Sequence, residues 1–176
     1  MAAVLSLMTV VGQVLNVLRV VVLLKLWLIL LLYIAYKMSE RPFMLRALPA
    51  AVEVQGVEWI AGESGLREGC GVAIFRLAPS MQQHLQARGL TALDGARQAR
   101  GYSEDYYHYQ AWQATPVLNN LASDGWLALS CADLPQDLEQ RINNALAQPG
   151  SYFAGKDEGV LLVLPAEGLA VYGYNG

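Results

Sequence analysis

Cysteine and histidine are scarce in this chain, with two of each in 176 residues. Cys70, His84, His108 and Cys131 stand far apart, with no C-x2-C and no H-x3-H, so the ligand spacing of a zinc site is missing. Phosphate-loop chemistry is missing too. Residues 62–71, GESGLREGCG, hold four glycines but lack the lysine and following Ser or Thr that grip phosphate and magnesium. The same stretch fails the G-x-S-x-G spacing of a nucleophile elbow and reads as a turn between strands. No metal and no cofactor are therefore expected.

Basic side chains are few and unevenly placed. Residues 1–42 carry four basic groups against one acid, and residues 43–176 carry eight against 14. The C-terminal part is acidic, which argues against nucleic acid, since neutralising phosphates needs a basic face. The first 18 residues have no basic side chain, and no small-x-small site closely follows Tyr36. A cleaved signal peptide needs both, so the expectation is a retained anchor.

What the chain does have is a long apolar run, residues 17–36, VLRVVVLLKLWLILLLYIAY. About 20 apolar helical residues cross a hydrocarbon layer roughly 30 Å thick. The run contains two charges, Arg19 near its start and Lys25 deeper. A charge at mid-bilayer costs about 2.5 kcal/mol or more. Tyr33, Tyr36 and Lys37 form an interfacial belt at the far end. Pro42 disfavours helix before it, so the helix is expected to end near Ser39.

Nothing strong breaks a helix between Ala2 and Tyr36, so one long helix is expected from roughly Ala3 to Met38, within an N-terminal membrane segment of residues 1–42. At about 100° per residue, Ser6, Thr9, Gln13 and Asn16 fall within about 80° of one another. Gly12 lies beside this stripe and Arg19 continues its edge. Small and polar residues on one face let membrane helices approach and hydrogen-bond. Gly12, Gln13, Asn16, Arg19 and Lys25 are the expected packing residues for a partner helix, either a second copy or another subunit. Lys37, Arg41 and Arg46 outnumber Arg19, which leans the domain toward the cytoplasm. Arg-over-Lys and Ala/Leu/Gln-rich usage suggests a bacterial inner membrane.

Residues 43–51 read as a linker and 52–176 as one domain. Strands are expected at 52–60, kinked at Gly56, then at 72–77, 126–130, 152–153, 159–164 and 169–174. Helices are expected after Ser80 as N-cap, stopped by Gly89, and over 134–147 after Asp133. In the latter, Leu134, Leu138, Ile142 and Leu146 make a stripe and Asp137 pairs Arg141. Residues 117–123 suit a helical turn or two. The fold class is α+β: the long transmembrane helix, then a mainly antiparallel sheet with two to four helices on one face.

The densest feature is 102–112, YSEDYYHYQAW, with four tyrosines, a histidine, a tryptophan and two acids. A helix starting at Ser103 puts Tyr102, Tyr106 and Tyr109 on one face. These rings, with His108 and Trp112, form the expected ligand or partner surface. Three functions are consistent with these features. The first is a membrane-anchored accessory or assembly subunit that binds protein. The second is a tethered ligand-binding or sensor domain. An enzyme is the third, with His108, Glu104 or Asp105 and Cys131 as its only nameable groups. Cys70 and Cys131 each adjoin an expected strand and form a disulfide if the compartment is oxidising.

Overall fold

The structure is a computed structural model and describes residues 2–64, 69–116 and 132–176. It falls into two compact units, residues 1–42 and 43–176. The first is helical. Helix α1 runs Ala2–Ala47 without a break at Pro42, so the expected stop near Ser39 is corrected. The local cost of a proline that lacks its N–H bond is outweighed by the packing of the residues beyond it. Met44, Ala47, Leu48 and Val52 are buried in the core of the second unit. The stretch 43–51 is thus part of the domain and not a linker. Burial of Met44 and Ala47 in its last turn, continued by Leu48 and Val52 just beyond, offsets the cost of the proline.

In the second unit come β1 (Val54–Ser64), β2 (Gly69–Leu77), α2 (Pro79–Arg88) and a 3-10 turn Gly89–Leu93. A second 3-10 turn, Asp105–Tyr107, precedes β3 (Gln113–Ala114), α3 (Gln136–Ala147), β4 (Tyr152–Lys156), β5 (Gly159–Leu164) and β6 (Leu169–Asn175). Among the described residues the strands make one six-stranded sheet in the order β1-β2-β6-β5-β4-β3, antiparallel throughout. The expected turns at 117–123 and strand at 126–130 lie outside the described residues.

Alternation along the strands splits the apolar residues between two cores. Ala73, Phe75, Leu161, Val163 and Tyr172 face one side, against the end of α1, α2 and the segment 93–109. Val72, Ile74, Leu162, Leu164 and Val171 face the other, against α3. Helices therefore cover both faces, which corrects the one-sided expectation. The reason is visible in β5, where GVLLVL is buried at all six positions. A strand with no polar face needs cover on both sides.

Leu138, Ile142 and Leu146 bury the expected stripe of α3, with Leu134 packed beside them. Capping differs from expectation. The residue before α3 is Pro135, with no side-chain cap, and α2 starts at Pro79 behind Ala78. Ser80 instead donates to Glu53 Oε2 at 2.8 Å. Arg141 pairs with Glu167 at 2.8 Å and not with Asp137, tying α3 to the β5–β6 turn. Gly89 stops α2 with φ of +59°, a conformation that suits glycine.

The turn between α1 and β1 has its own clamp. Arg100 donates to the carbonyls of Leu48, Pro49 and Val52 at 3.2, 2.9 and 2.7 Å. Among the described residues, β1 and β3 are the two edges of the sheet; β1 is irregular. Its register shifts at Val54/Gly56 and Val57/Trp59 put the expected kink at Gly56 beside a bulge. Bulges twist an edge away from unwanted pairing.

Candidate functional site

Between the first 3-10 turn and β3 the chain folds back on itself through distant bonds. Ala99 N donates to Tyr107 O at 3.1 Å, Tyr109 N to Arg97 O at 2.7 Å, and Arg97 Nε to Tyr109 O at 2.9 Å. These bonds take the place of helical ones. Residues 102–112 accordingly hold one 3-10 turn and no α-helix, which corrects the helix expected from Ser103. The shared face of Tyr102, Tyr106 and Tyr109 goes with it.

The cluster divides into buried and exposed parts. Tyr109 is fully buried, and its hydroxyl donates to Ala47 O at 2.9 Å. Trp112 packs partly buried against the same core, with Nε1 donating to Ala96 O at 2.7 Å. Both are packing residues. His108 is exposed, its Nδ1 3.1 Å from Gln98 Oε1. An Nδ1–H tautomer donates across that gap.

The remaining rings form a continuous ladder. Phe43 meets Tyr102 edge-on at 6.1 Å, Tyr102 stacks on Tyr107 at 3.9 Å, and Tyr107 meets Tyr106 edge-on at 4.9 Å. The two edge-on contacts have the T-shaped geometry that aromatic quadrupoles favour. At the end of the ladder Lys156 Nζ lies 3.8 Å from the Tyr106 ring centre, 5.4 Å from Tyr107 and 6.0 Å from Tyr172. It also donates to Asp157 O at 2.7 Å. Tyr106 donates its hydroxyl to Glu158 Oε2 at 3.1 Å. Sequence reasoning missed Tyr107 and Lys156. Lys156 lies two positions beyond Ala154 in β4 and so shares its inward face, which was the available signal.

Burial pushes the Lys156 ammonium down to about 8, while Glu158 and Asp157 pull the other way. Burial, followed by the bond to Glu158 and its charge, pushes the Tyr106 phenol up to about 12. Tyr109 and Tyr172 are pushed up chiefly by burial as well. These directions set the pH dependence of stability. Between pH 8 and the ordinary lysine value of 10.5, the unfolded chain holds a proton that folded Lys156 has lost, so stability rises with pH. Above the ordinary tyrosine value of 10, the unfolded phenols ionise first and stability falls. Thermal melts are expected to peak at roughly pH 9 to 10. Lys156→Met is expected to abolish the rise from pH 8 while keeping the fall. An unchanged rise in the variant would place its source elsewhere.

Chemically, the ladder offers a large aromatic surface, and its cation-holding end is filled by the chain's own lysine. No carboxylate appears among the hydrogen-bond partners of His108, so the triad geometry of an acid, a histidine and a nucleophile is not assembled by the described residues. Among the described residues no group of three His, Cys, Asp or Glu is placed to hold a metal.

On α1, Gly12, Gln13, Asn16, Arg19 and Lys25 are all exposed, and the space beside Gly12 is open. Gly12–Ala47 has a mean hydropathy of 2.5 in its most apolar window, none of it buried, and is long and apolar enough to cross a membrane. Cys70 is disulfide-bonded. Its expected partner, Cys131, lies outside the described residues. No protein family, curated protein or solved structure was found to match this chain.

Proposed function

We propose that the chain is a single-pass membrane-anchored accessory or assembly subunit whose α+β domain binds another protein. The observation that carries this reading is the set Gln13, Asn16, Arg19 and Lys25, polar side chains left exposed in the otherwise mostly apolar stretch 12–36 of α1. The described residues of the domain close both faces of its sheet, and the stretch before it is long and apolar enough to cross a membrane. In hydrocarbon, polar groups seek one another across helices, each contact contributing about 0.6 kcal/mol and up to about 1.7.

The test is a triple variant, Gln13→Leu, Asn16→Leu and Arg19→Leu, in the full chain purified gently from membranes. Loss of about 2 kcal/mol is expected to weaken association with the second chain roughly 30-fold. The domain's melting temperature should stay where it was. Undiminished association would sink the reading.

The bonded Cys70 bears on the side of the membrane. Disulfides persist in oxidising compartments and are rare in the cytoplasm. The reading that fits is a domain outside the cytoplasm, in place of the slight cytoplasmic lean of the flanking charges. Alkaline phosphatase fused after Gly176 is active only when exported, so an active fusion is expected. An inactive fusion at normal abundance would return the domain to the cytoplasm.

A further inference from the structure

The aromatic ladder has no task in the proposed helix pairing. Among the described residues of the domain, the exposed large hydrophobic side chains are Phe43 at 53%, Trp59 at 39% and Tyr106 at 38%. Two of these three are the ends of the one ladder, joined through the partly exposed Tyr102 and Tyr107. An exposed aromatic run of this kind marks a surface that meets something less polar than water.

Chain length says what that is. Phe43 lies seven residues beyond Tyr36, the last ring of the apolar run. Seven residues span about 10 Å as helix and at most about 25 Å extended. The polar layer on each side of the hydrocarbon is about 5–8 Å deep. The first ring of the ladder is therefore tethered at, or within one short reach of, the headgroups. Tyrosine is the residue type that collects there, with an apolar ring and a polar tip.

We infer that Phe43, Tyr102, Tyr107 and Tyr106 form a lipid-contact surface that seats the domain in the headgroup layer of an electrically neutral, zwitterionic bilayer. Charge at the Tyr106–Tyr107 end of the ladder sets the lipid class, while at the Phe43–Tyr102 end the exposed Arg46 lies beside Gly101. Glu104, Asp105, Asp157 and Glu158 are exposed around Tyr106 and Tyr107, and the nearby Lys156 is buried. Acids at this surface repel anionic lipid, so the contact depends on ring burial and not on attraction to charged headgroups.

The inference rests on the membrane-anchor reading, and one experiment separates the two. The full chain is labelled with 3-fluorotyrosine and placed in phosphatidylcholine nanodiscs. The resonances are assigned by single Tyr→Phe variants. A water-soluble gadolinium chelate and a gadolinium-headgroup lipid are then compared as relaxation agents. Tyr36 shielded from the soluble chelate, with Tyr102 and Tyr106 broadened more by the headgroup agent than by the chelate, is the expected result. Phe43→Ser should weaken that shielding at Tyr102 without moving Tyr36. Tyr36 shielded but Tyr106 reached freely by the chelate overturns the docking and leaves the anchor standing. Chelate access to both overturns both. Exchanging part of the phosphatidylcholine for phosphatidylglycerol is expected to reduce shielding at Tyr106, and an increase would overturn the assignment to neutral lipid.

Discussion

Ile142→Ala is expected to destabilise the domain by about 3 kcal/mol and lower its melting temperature by roughly 10 °C. Ile142 is 1% exposed and sits in the middle of the buried stripe of α3. Its neighbours in the core are Leu138 and Leu146 along the helix and the strand residues Ile74, Leu162 and Val171 beneath. Cutting it to alanine removes three carbon atoms from water-free packing and leaves a cavity. Cavities add to the transfer loss because helix and sheet relax only in part. Asn143, one position on, is exposed, and Asn143→Ala should change stability by less than about 0.5 kcal/mol. Denaturant melts of the two variants, with unchanged slope, read the difference. A cost below about 1 kcal/mol at Ile142 would mean that α3 does not cover the second face of the sheet.

Legibility from sequence tracked how local the deciding signal was. The stripe of α3 and the β5–β6 hairpin are set by spacing within a few residues, and the structure places them where the spacing does. The closed second face was written in the unbroken apolar run of β5, but reading it required asking what a strand with no polar side demands. Pro42 is a strong local stop that long-range packing of Met44, Ala47 and Leu48 overrides. The tyrosine cluster was the least legible. Which rings point inward is decided by bonds with Ala99 and Arg97, eight and twelve residues away, and by Ala47 some 60 residues earlier. No helical or strand period in residues 102–112 carries that information. Lys156 is also distant in sequence, on β4, and only the alternation after Ala154 hints at its inward direction.

Tyr109 separates the sequence reading from the structure most sharply. As one ring of an exposed recognition face, Tyr109→Ala would cost less than about 0.5 kcal/mol, the usual range for a surface change. As the largest fully buried side chain among the described residues, it is expected to cost about 4 kcal/mol on truncation. Tyr109→Phe isolates the polar part. Its hydroxyl donates to the carbonyl of Ala47, the last residue of α1, at 2.9 Å. The final carbonyls of a helix have no intrahelical donor, and Ala47 is only 3% exposed, so water is a poor substitute. Phenylalanine keeps the ring and leaves this carbonyl unsatisfied, at an expected cost of about 1–2 kcal/mol. The two variants together therefore split the side chain into its ring and its bond. Chemical melts of each measure the split, and burial adds an independent readout. The Tyr109 phenol is held well above the ordinary tyrosine range, so in an alkaline absorbance titration it should stay un-ionised until the domain unfolds. Stability of Tyr109→Ala within about 0.5 kcal/mol of wild type, or early ionisation of this ring, would put Tyr109 back on the surface and reopen the cluster as a single recognition face.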